Sequence, residues 1–475
     1  MIDRVASLRG ESAPTPLWSL RAAQLAALVL AVACGPSEAG DDLGTLSEPE
    51  GRRPNVVLII IDTLRADMLS SYGHPEDPSP ALTRLTADGV QFESVISQTS
   101  WTLPSIGSML TSQYPRTLGL YSEFDHALPE RFVALAEAFN DHGYATFGAT
   151  ANPNINSRAQ FDQGFDQYVD SIYVFRRSRD DLEDGEIFAR DAKLHSAREL
   201  LKQALDFAAA TDPSTPAYLQ LNLMEVHEYS DPDMLRPAYE ELFEGVEGAR
   251  YLRMVRQVTD DIEVFVNNLR AQPGWEDTLF CITSDHGEGL RDHPAVTNSR
   301  GHGGLLYPSM VHVPWLLFNS AWAPTVRRVT QPVRLLELAP TLLELVGIAP
   351  PSDFAGVSLM PLLEGLEEAA PLPEYIVTET YFRDFRKISA VGPSWQYVNN
   401  RTSVQGLPEH ELQDRSGTPN GAETDLAADH PEVLERMQRF VSAWEAQHQE
   451  ATPIPVGTAL TDELREQLNA IGYTR

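Results

Sequence analysis

The stretch Asn55–Asp62 reads NVVLIIID, and the stretch Thr278–Asp285 reads TLFCITSD. Each is a continuous run of mainly apolar residues that ends in an aspartate, which is typical of a strand buried on both faces of a sheet. Around them, apolar runs alternate with amphipathic segments of ten or more residues, such as Arg250–Ala271. This alternation predicts an α/β fold with a large, mainly parallel sheet sandwiched by helices.

The pattern changes near residue 370. The segments at 373–382, 386–392 and 394–400 are short and have the composition of antiparallel strands, and helical patterns follow at 430–447 and 461–475. We therefore predict a main α/β domain of residues 53–370 and a small α+β C-terminal subdomain and tail helix of residues 371–475.

The N-terminus has the pattern of an export signal. Arginines precede the apolar run QLAALVLAVAC, which ends at Cys34 and is too short for a membrane-spanning helix of ~20 residues. Its ending, AVAC, resembles the lipobox of bacterial lipoproteins. We predict a signal peptide of residues 1–33, a lipid anchor on Cys34 and an acidic tether of residues 34–52. The protein would then be lipid-anchored in the bacterial cell envelope, periplasmic or at the surface; a plain cleaved signal and a retained anchor are alternatives.

The charge balance limits the partners. The chain has 36 basic and 68 acidic residues, a formal net charge of −32, which argues against binding to nucleic acid or to anionic membrane surfaces. An anionic substrate would need a local positive site, most economically a metal ion. The second cysteine, Cys281, lies in an apolar run and is expected to be a buried, unpaired residue.

Candidate metal ligands follow the two strand patterns. The carboxyl ends of parallel strands share one edge of a sheet, so Asp62 and Asp285 are expected to converge, with His286 directly after Asp285. The strand pattern AYLQLNLMEVH delivers Glu225 and His227 to the same edge. Two aspartates and a histidine form a hard-to-borderline metal site, whereas each aspartate taken singly could also cap a turn.

Thr102 lies in the stretch Ser100–Pro115, SWTLPSIGSMLTSQYP, just before a predicted helix over PSIGSMLTSQY. It is either an N-cap or a nucleophile placed where free N–H groups and the positive end of the helix dipole stabilise an anion. A metal held by Asp62, Asp285, His286 and the Thr102 hydroxyl would lower the pKa of that hydroxyl. It would also neutralise charge on an attacked sulfuryl or phosphoryl group.

Several ordered motifs resemble the sulfatase family of the alkaline-phosphatase superfamily, over residues 53–475. They include NVVLIIIDTLRADML, TLPSIGSMLTSQYP, SDHGEGL, GHGGLLYPSMVHVPWLLF and QPVRLLELAPTLLELVGIAPP. The resemblance implies that residues 53–370 are catalytic and that the protein is a hydrolase. It places His227 where sulfatases have a substrate-binding histidine, and His302 where a Lys or His contacts the oxyanion or leaving group.

The chain departs from the sulfatase pattern at the nucleophile. Sulfatases have C/S-x-P-x-R, whose first residue becomes formylglycine, but Thr102–Ile106 reads TLPSI. Thr102 cannot become formylglycine, the arginine is Ile106, and the second strand-end aspartate is Thr63. Asp62, Thr102, Asp285 and His286 resemble instead the site of Thr-nucleophile relatives, which include nucleotide pyrophosphatases/phosphodiesterases and phospho-group transferases.

We therefore predict a metal-dependent hydrolase of sulfate, phosphate or phosphonate esters with Thr102 as nucleophile and one divalent ion (Zn, Mn or Ca). Its substrate would be a small-molecule, glycan or lipid ester. Alternatives are a phosphodiesterase or phospho-group transferase, and a two-metal site that adds Glu225, His227 and His302. A further alternative, motivated by Thr63, Thr83 and Ile106, is a non-catalytic surface lipoprotein on a decayed sulfatase scaffold.

Overall fold

The apolar runs Asn55–Asp62 and Thr278–Asp285 contain two neighbouring strands at the centre of the main sheet. The structure is a computed structural model, and it describes residues 53–122, 125–170, 196–293, 301–320, 324–366, 371–402, 406–415 and 424–456. Within these ranges the main sheet consists of β1 (Val56–Ile61), β2 (Val90–Ile96), β3 (Ala145–Thr150), β4 (Gln167–Val169), β5 (Ala217–Leu223), β6 (Leu279–Thr283), β7 (His312–Phe318), β8 (Arg328–Val329) and β9 (Val333–Arg334).

The spatial order of the strands is β4-β3-β5-β1-β6-β7-β2-β8, and β9 also pairs with β2. Strands β4, β3, β5, β1 and β6 run parallel to one another, whereas β7 runs antiparallel to both β6 and β2. The predicted mainly parallel sheet is confirmed. The antiparallel strand β7 and its partner β2 were not assigned from the sequence.

Strand β1 explains why the sheet is covered on both sides. Val57, Ile59 and Ile61 join one apolar cluster, while Val56, Leu58 and Ile60 join another on the opposite face. All six side chains are fully buried. Burial of each such side chain stabilises the fold by about 1.5–3 kcal/mol, so a run without polar alternation favours this central position.

Helices cover the two faces of the sheet. In chain order they are α1 (Pro80–Leu85), α2 (Thr102–Thr111), α3 (Pro115–Leu118), α4 (Leu135–Asp141), α5 (Ala197–Ala210), α6 (Ala249–Arg270), α7 (Pro308–Val311), α8 (Leu338–Leu345), α9 (Met360–Leu363) and α10 (Pro431–Gln447). Helices α2, α4 and α8 contribute to one apolar cluster and α5 and α6 to the other. Among the described residues, no helix combines the length and apolar character needed to cross a membrane.

Short 3₁₀ turns occupy several connections. They lie at Ala66–Met68, Ser70–Tyr72, Ser157–Ala159, Pro232–Met234, Pro237–Tyr239 and Leu335–Glu337.

A second, antiparallel sheet forms the C-terminal part. Its strands, in sequential order, are β10 (Ile376–Thr380), β11 (Lys387–Val391), β12 (Trp395–Asn400) and β13 (His410–Asp414). Residues of α10 pack on this sheet, which confirms the predicted small α+β subdomain. The described residues belong to one compact unit, Leu43–Arg475, so the domain limits at 370 and 371 stay predictions. The signal, the tether, Cys34 and the predicted helix at 461–475 lie outside the described residues.

Candidate active site

Asp62 and Asp285 converge because the strands that precede them are paired. Ile60 of β1 lies opposite Thr283 of β6, so the two chains leave the sheet side by side. Asp62, Asp285 and His286 are fully buried, and each offers a ligand atom within 4.8 Å of the others. The Nε2 atom of His286 is 3.2 Å from Asp285 Oδ2 and 3.9 Å from Asp62 Oδ1.

The backbone between the strand end and the first loop is strained at Thr63. This β-branched residue has φ +60°, a left-handed conformation that costs about 1–3 kcal/mol. Its N–H donates to Asp285 Oδ1 at 3.2 Å, and its carbonyl accepts from Tyr251 Oη at 2.7 Å. The side chain of Thr63 turns back to the Asp62 carbonyl, at 2.7 Å. These bonds hold Asp62 and Asp285 in a fixed relation, and Thr63 adds no anionic ligand.

The electrostatics of this group fit a divalent cation. Burial raises the pKa of Asp62 to about 6, with a further contribution from the charge of Asp285, and burial also raises the pKa of Asp285 to about 6. Asp62 Oδ1 and Asp285 Oδ2 are buried and have no hydrogen-bond partner among the described residues. Two unsatisfied buried carboxylate oxygens facing one imidazole nitrogen are costly unless a cation lies between them.

His286 is held in the form that binds metals. Its Nδ1 is 2.9 Å from the Gly287 carbonyl, which can only accept, so Nδ1 carries the proton and Nε2 presents its lone pair to the aspartates. Burial, followed by the charge of His302, lowers the pKa of His286 to about 3, so the ring is neutral at physiological pH. Asp62, Asp285 and His286 therefore fit a cation chemically, with mixed oxygen and nitrogen ligands.

Thr102 is the first residue of α2, so the helix begins two residues earlier than the sequence predicted. The N-cap is Trp101, in an extended conformation and without a side-chain cap, so the interpretation of Thr102 as an N-cap is wrong. Thr102 is buried, and its Oγ1 lies 3.2 Å from His286 Nε2. Ser105, one turn later, donates to the Asp285 carbonyl at 2.6 Å and so fixes α2 against the metal-ligand loop.

Asn152 belongs to this site and was missed in the sequence. It follows β3, whose carboxyl end lies at the same sheet edge, and its Nδ2 donates to Asp62 Oδ2 at 2.7 Å. The same nitrogen lies 3.4 Å from Thr102 Oγ1. The side-chain oxygen of Asn152 accepts from Asn154 N–H at 2.8 Å, which fixes the amide orientation. Asn152 is thus a hydrogen-bond donor next to both the nucleophile candidate and a ligand candidate.

His302 and His227 lie beside the metal-ligand group. The ring of His302 is centred 4.5 Å from that of His286 and 5.2 Å from that of His227. Glu288 holds His302 through a 3.3 Å contact between Oε2 and Nδ1. Although burial by itself raises the pKa of Glu288, the hydrogen bond and charge of His302 bring it to about 2. Glu288 is therefore an ionised partner that orients His302.

His227 lies against the carboxylate of its chain neighbour. Burial, the largest single influence, lowers its pKa, but the Glu228 carboxylate, 2.7 Å from Nδ1, together with the charges of Asp62 and Glu288 raises the pKa of His227 to about 9. Glu225, from the same strand end, does not join the Asp62, Asp285 and His286 group. Its side chain accepts a short hydrogen bond from Ala197 N–H at the start of α5. Within the described ranges, Asp62, Asp285 and His286 are the one set of three such ligands this close together, so the two-metal alternative gains no support.

The C-terminal sheet closes over the loops of Thr102 and His302. Gly303 has φ +86°, and a Cβ at this position would lie 2.5 Å from the ring of Phe382. The carbonyl of Gly303 accepts from Thr380 Oγ1 at 2.6 Å, and its N–H donates to the Ser100 carbonyl at 2.8 Å. Phe382 also contacts Trp101, with the ring centres 5.4 Å apart. The two loops are therefore tied to one another and to the second sheet.

Arg65 forms an ion pair with Asp67 at 2.7 Å and also contacts Asp292. The guanidinium donates to the Glu288 carbonyl at 3.0 Å, so it stabilises the loop that follows Asp285 and His286. His293 lies away from the ligand group, 3.2 Å from Ser309 Oγ. Cys281 is buried and unpaired, as predicted.

The structure thus has a buried Asp–Asp–His group at the carboxyl edge of a mainly parallel sheet, next to a hydroxyl residue at a helix start. A family model described as Sulfatase matches residues 54–348, more than half of the chain, and the chain belongs to this family. Human N-acetylgalactosamine-6-sulfatase is 24% identical over 468 residues, which cover 84% of this chain and 86% of the relative.

Two solved structures share the fold. The phosphonate monoester hydrolase of Agrobacterium radiobacter has a TM-score of 0.64 at 20% identity, covering 84% of this chain and 96% of its own. The structure of BT4656 in complex with its substrate D-glucosamine-2-N,6-O-disulfate has a TM-score of 0.64 at 15% identity, covering 85% and 99%. As a member of this family the chain is a hydrolase of ester bonds, so the alternative of a non-catalytic lipoprotein is not supported.

Proposed function

We propose that this protein hydrolyses sulfate or phosphate esters with Thr102 as the nucleophile, one divalent cation as cofactor and no formylglycine. The position of Thr102 carries the proposal. Its hydroxyl is buried at the N-terminus of α2, within 3.4 Å of both His286 Nε2 and Asn152 Nδ2. The nearby oxygens Asp62 Oδ1 and Asp285 Oδ2 are buried without a hydrogen-bond partner among the described residues. Such costly oxygens are not explained if the Thr102 side chain has only a packing role.

Asp62, Asp285 and His286 would hold the cation, with the Thr102 hydroxyl next to it. When bound, a Zn²⁺, Mn²⁺ or Ca²⁺ ion supplies a Lewis acid that lowers the pKa of a hydroxyl and neutralises oxyanion charge. The first turn of α2, where backbone N–H groups have no intrahelical partner, begins at Thr102 itself. Asn152 orients the Asp62 carboxylate and, from the same amide, the nucleophile.

The reaction has two displacements. In the first, Thr102 Oγ1 forms a bond to sulfur or phosphorus while the bond to the leaving-group oxygen breaks. The hydroxyl proton passes to solvent, and the leaving oxygen takes a proton from His227, which Glu228 keeps charged. In the second, water attacks the threonyl ester and breaks its bond to Thr102. One proton of the water restores the Thr102 hydroxyl and the other returns to His227. His302, fixed by Glu288, contacts the oxyanion or the leaving group.

Phosphorus esters are the second candidate substrate class, which includes phosphodiesters and phospho-group transfer. Ile106 is fully buried at the position where sulfatases place the arginine that supports formylglycine. The fold is shared with a phosphonate monoester hydrolase as well as with sulfatases. A threonine alkoxide attacks phosphorus without any aldehyde hydrate, so the loss of both formylglycine features favours phosphorus chemistry.

The cellular setting is part of the proposal. The run ending in AVAC supports export and a lipid anchor on Cys34. We propose an envelope enzyme that acts on small-molecule or glycan esters. Mass spectrometry of the mature N-terminal peptide tests the anchor: a peptide that begins at an acylated Cys34 is expected, and one that retains residues 1–33 would rule it out.

The chemistry is tested by three measurements on the wild-type protein. Metal analysis is expected to find close to one divalent ion per chain. Peptide mass spectrometry is expected to find unmodified threonine at position 102. Release of p-nitrophenol from p-nitrophenyl sulfate and from bis-p-nitrophenyl phosphate separates the two substrate classes. A metal-free, folded chain without turnover of either ester would contradict the proposal.

The pH profile should report His227. The protonated ring is the active form, and its pKa is raised to about 9, so kcat/KM is expected to be constant near neutrality and to fall as the pH rises through about 9. Replacing Glu228 by Gln removes the partner that raises this pKa, so the fall should move towards neutral pH. Replacing His227 by Gln should remove it. An alkaline limb that is the same in all three proteins would exclude His227 as the proton donor.

A further inference from the structure

A second cavity lies on the C-terminal sheet, apart from the candidate active site. Its volume is about 380 Å³, and its lining includes four cationic side chains and two tyrosines: Arg116, Arg386, Lys387, Arg401, Tyr121 and Tyr381. Tyr381 lines this cavity, whereas the next residue, Phe382, packs on Trp101 and Gly303 beside the active-site loops.

The cationic groups are carried by rigid elements. Lys387 begins β11 and lies opposite Asn400, the last residue of β12. Just beyond these strand ends, Arg401 N–H donates to the Arg386 carbonyl at 3.0 Å. The hydroxyl of Thr402 accepts from Arg386 N–H at 3.3 Å. Backbone hydrogen bonds of the sheet therefore hold Arg386, Lys387 and Arg401 next to one another.

Two of the arginines form ion pairs with carboxylates that do not line the cavity. Arg116 pairs with Glu379 at 2.8 Å and with Glu445 at 3.2 Å, and Arg401 pairs with Glu445 at 2.5 Å. Among the lining residues the carboxylate is that of Glu450, which accepts from Tyr381 Oη at 2.7 Å. The cavity wall therefore presents more positive than negative groups in a chain whose net charge is −32.

Arg386 is not balanced in this way. The Arg386 side chain donates to the carbonyls of Arg383 and Phe385, and among the described residues no carboxylate forms an ion pair with it. The Lys387 side chain is only 3% exposed. Burial lowers its pKa to about 8 even though the charge of Glu411 opposes this effect. Both groups would be stabilised by an anion in the cavity.

We propose that this cavity is a binding site for the sulfate, phosphate or carboxylate group of a small organic molecule. Guanidinium groups bind such oxyanions with paired hydrogen bonds, and the ammonium of Lys387 adds a point charge. The volume lies within the roughly 300–1,000 Å³ of small-molecule sites, which is more room than a free inorganic ion needs. The rings of Tyr121 and Tyr381, centred 4.6 Å apart, form an aromatic wall for the organic part. This site does not depend on the assignment of Thr102.

Calorimetry on the full chain tests the proposal with four probes. Benzenesulfonate and phenylphosphonate carry the oxyanion on carbon and have no ester bond to hydrolyse, while inorganic sulfate and phosphate lack an organic part. The organic probes are expected to bind more tightly than the inorganic ions. Replacing Arg386 by Gln, or Lys387 by Met, should weaken that binding roughly tenfold. Replacing Asp285 by Asn, in the candidate active site, should leave it unchanged.

Two further variants keep this test decisive. Arg386→Lys retains the charge and should weaken binding less than Arg386→Gln does. Arg439→Gln removes an exposed arginine of α10 that pairs with Glu435, and it should have no effect. Thermal unfolding shows that each variant is folded. The proposal is overturned if no probe binds at millimolar concentration, if the Arg386 and Lys387 variants bind normally, or if binding is lost in Asp285→Asn. Equal affinity for inorganic and organic probes would overturn the assignment to an organic ligand.

Discussion

Thr102→Ala is expected to lower kcat by roughly 10³-fold or more on any ester that the wild-type protein hydrolyses. The variant lacks the oxygen that forms the covalent threonyl ester, whereas the ligand set of Asp62, Asp285 and His286 is intact. Metal content should therefore stay close to that of the wild type. Because only a buried hydroxyl is lost, the free energy of unfolding should change by about 1–2 kcal/mol at most. Metal analysis, thermal unfolding and initial rates on both nitrophenyl esters measure these outcomes.

Two controls separate a nucleophile from a structural threonine. Thr102→Ser keeps a hydroxyl at the start of α2 and should retain a large part of the activity. Thr111→Ala removes another buried hydroxyl, at the opposite end of the same helix from Thr102. This hydroxyl donates to the Gly107 carbonyl at 2.7 Å. The substitution should affect stability but not kcat. Turnover by Thr102→Ala at the wild-type rate would end the Thr-nucleophile proposal.

The centre of the fold was predictable because its strands are buried on both faces. In β1 and β6 every residue is buried, and such strands leave an uninterrupted apolar run in the sequence. Strand β7 is equally buried, but His312 and Pro314 interrupt its pattern. The residues of the strand also give no signal of its direction, because the antiparallel pairing with β6 and β2 is a long-range tertiary arrangement.

The core of the candidate site was predictable for a related reason. Asp62, Asp285 and His286 directly follow strands whose pairing the sequence already indicates, so sheet geometry alone brings them together. Asn152 is different, because an asparagine among ANPN residues is ordinary loop composition. Asn152 reaches Asp62 only because β3 and β1 lie two strands apart in the sheet, with β5 between them. The signal that could have found it is its place directly beyond the strand pattern YATFGAT.

The contacts that orient the histidines could not be derived from the sequence. Glu288 and His302 are 14 positions apart in the chain, and the local sequence does not indicate that their side chains lie 3.3 Å apart. Gly303 allows the backbone next to His302 to lie against the ring of Phe382, which follows the first strand of the second sheet. Thr63 was interpreted only as a missing ligand, but its left-handed backbone and its bonds to Asp285 and Tyr251 position the aspartates. These features arise from tertiary contacts between distant segments.

Asp285→Asn is expected to abolish stoichiometric metal binding and to lower kcat by roughly 10³-fold, while the metal-free protein stays at least as stable as metal-free wild type. Asparagine has nearly the same shape, and its oxygen still accepts from Thr63 N–H, which is 3.2 Å from Asp285 Oδ1. The substitution removes one of two buried negative charges that face the same point. The loss of that charge removes a ligand and also an electrostatic cost.

The direction of the stability change distinguishes a functional carboxylate from a structural one. Asp170 is a matched control, because it is also buried and its Oδ2 accepts from both the N–H and the hydroxyl of Ser157, at 2.8 and 2.7 Å. Asp170→Asn should lower the unfolding temperature and leave metal content and kcat unchanged. If Asp285→Asn instead destabilises the metal-free protein as Asp170→Asn does, Asp285 serves the fold. A gain or no change in stability together with lost metal means that the fold tolerates two facing carboxylates only because a cation joins them.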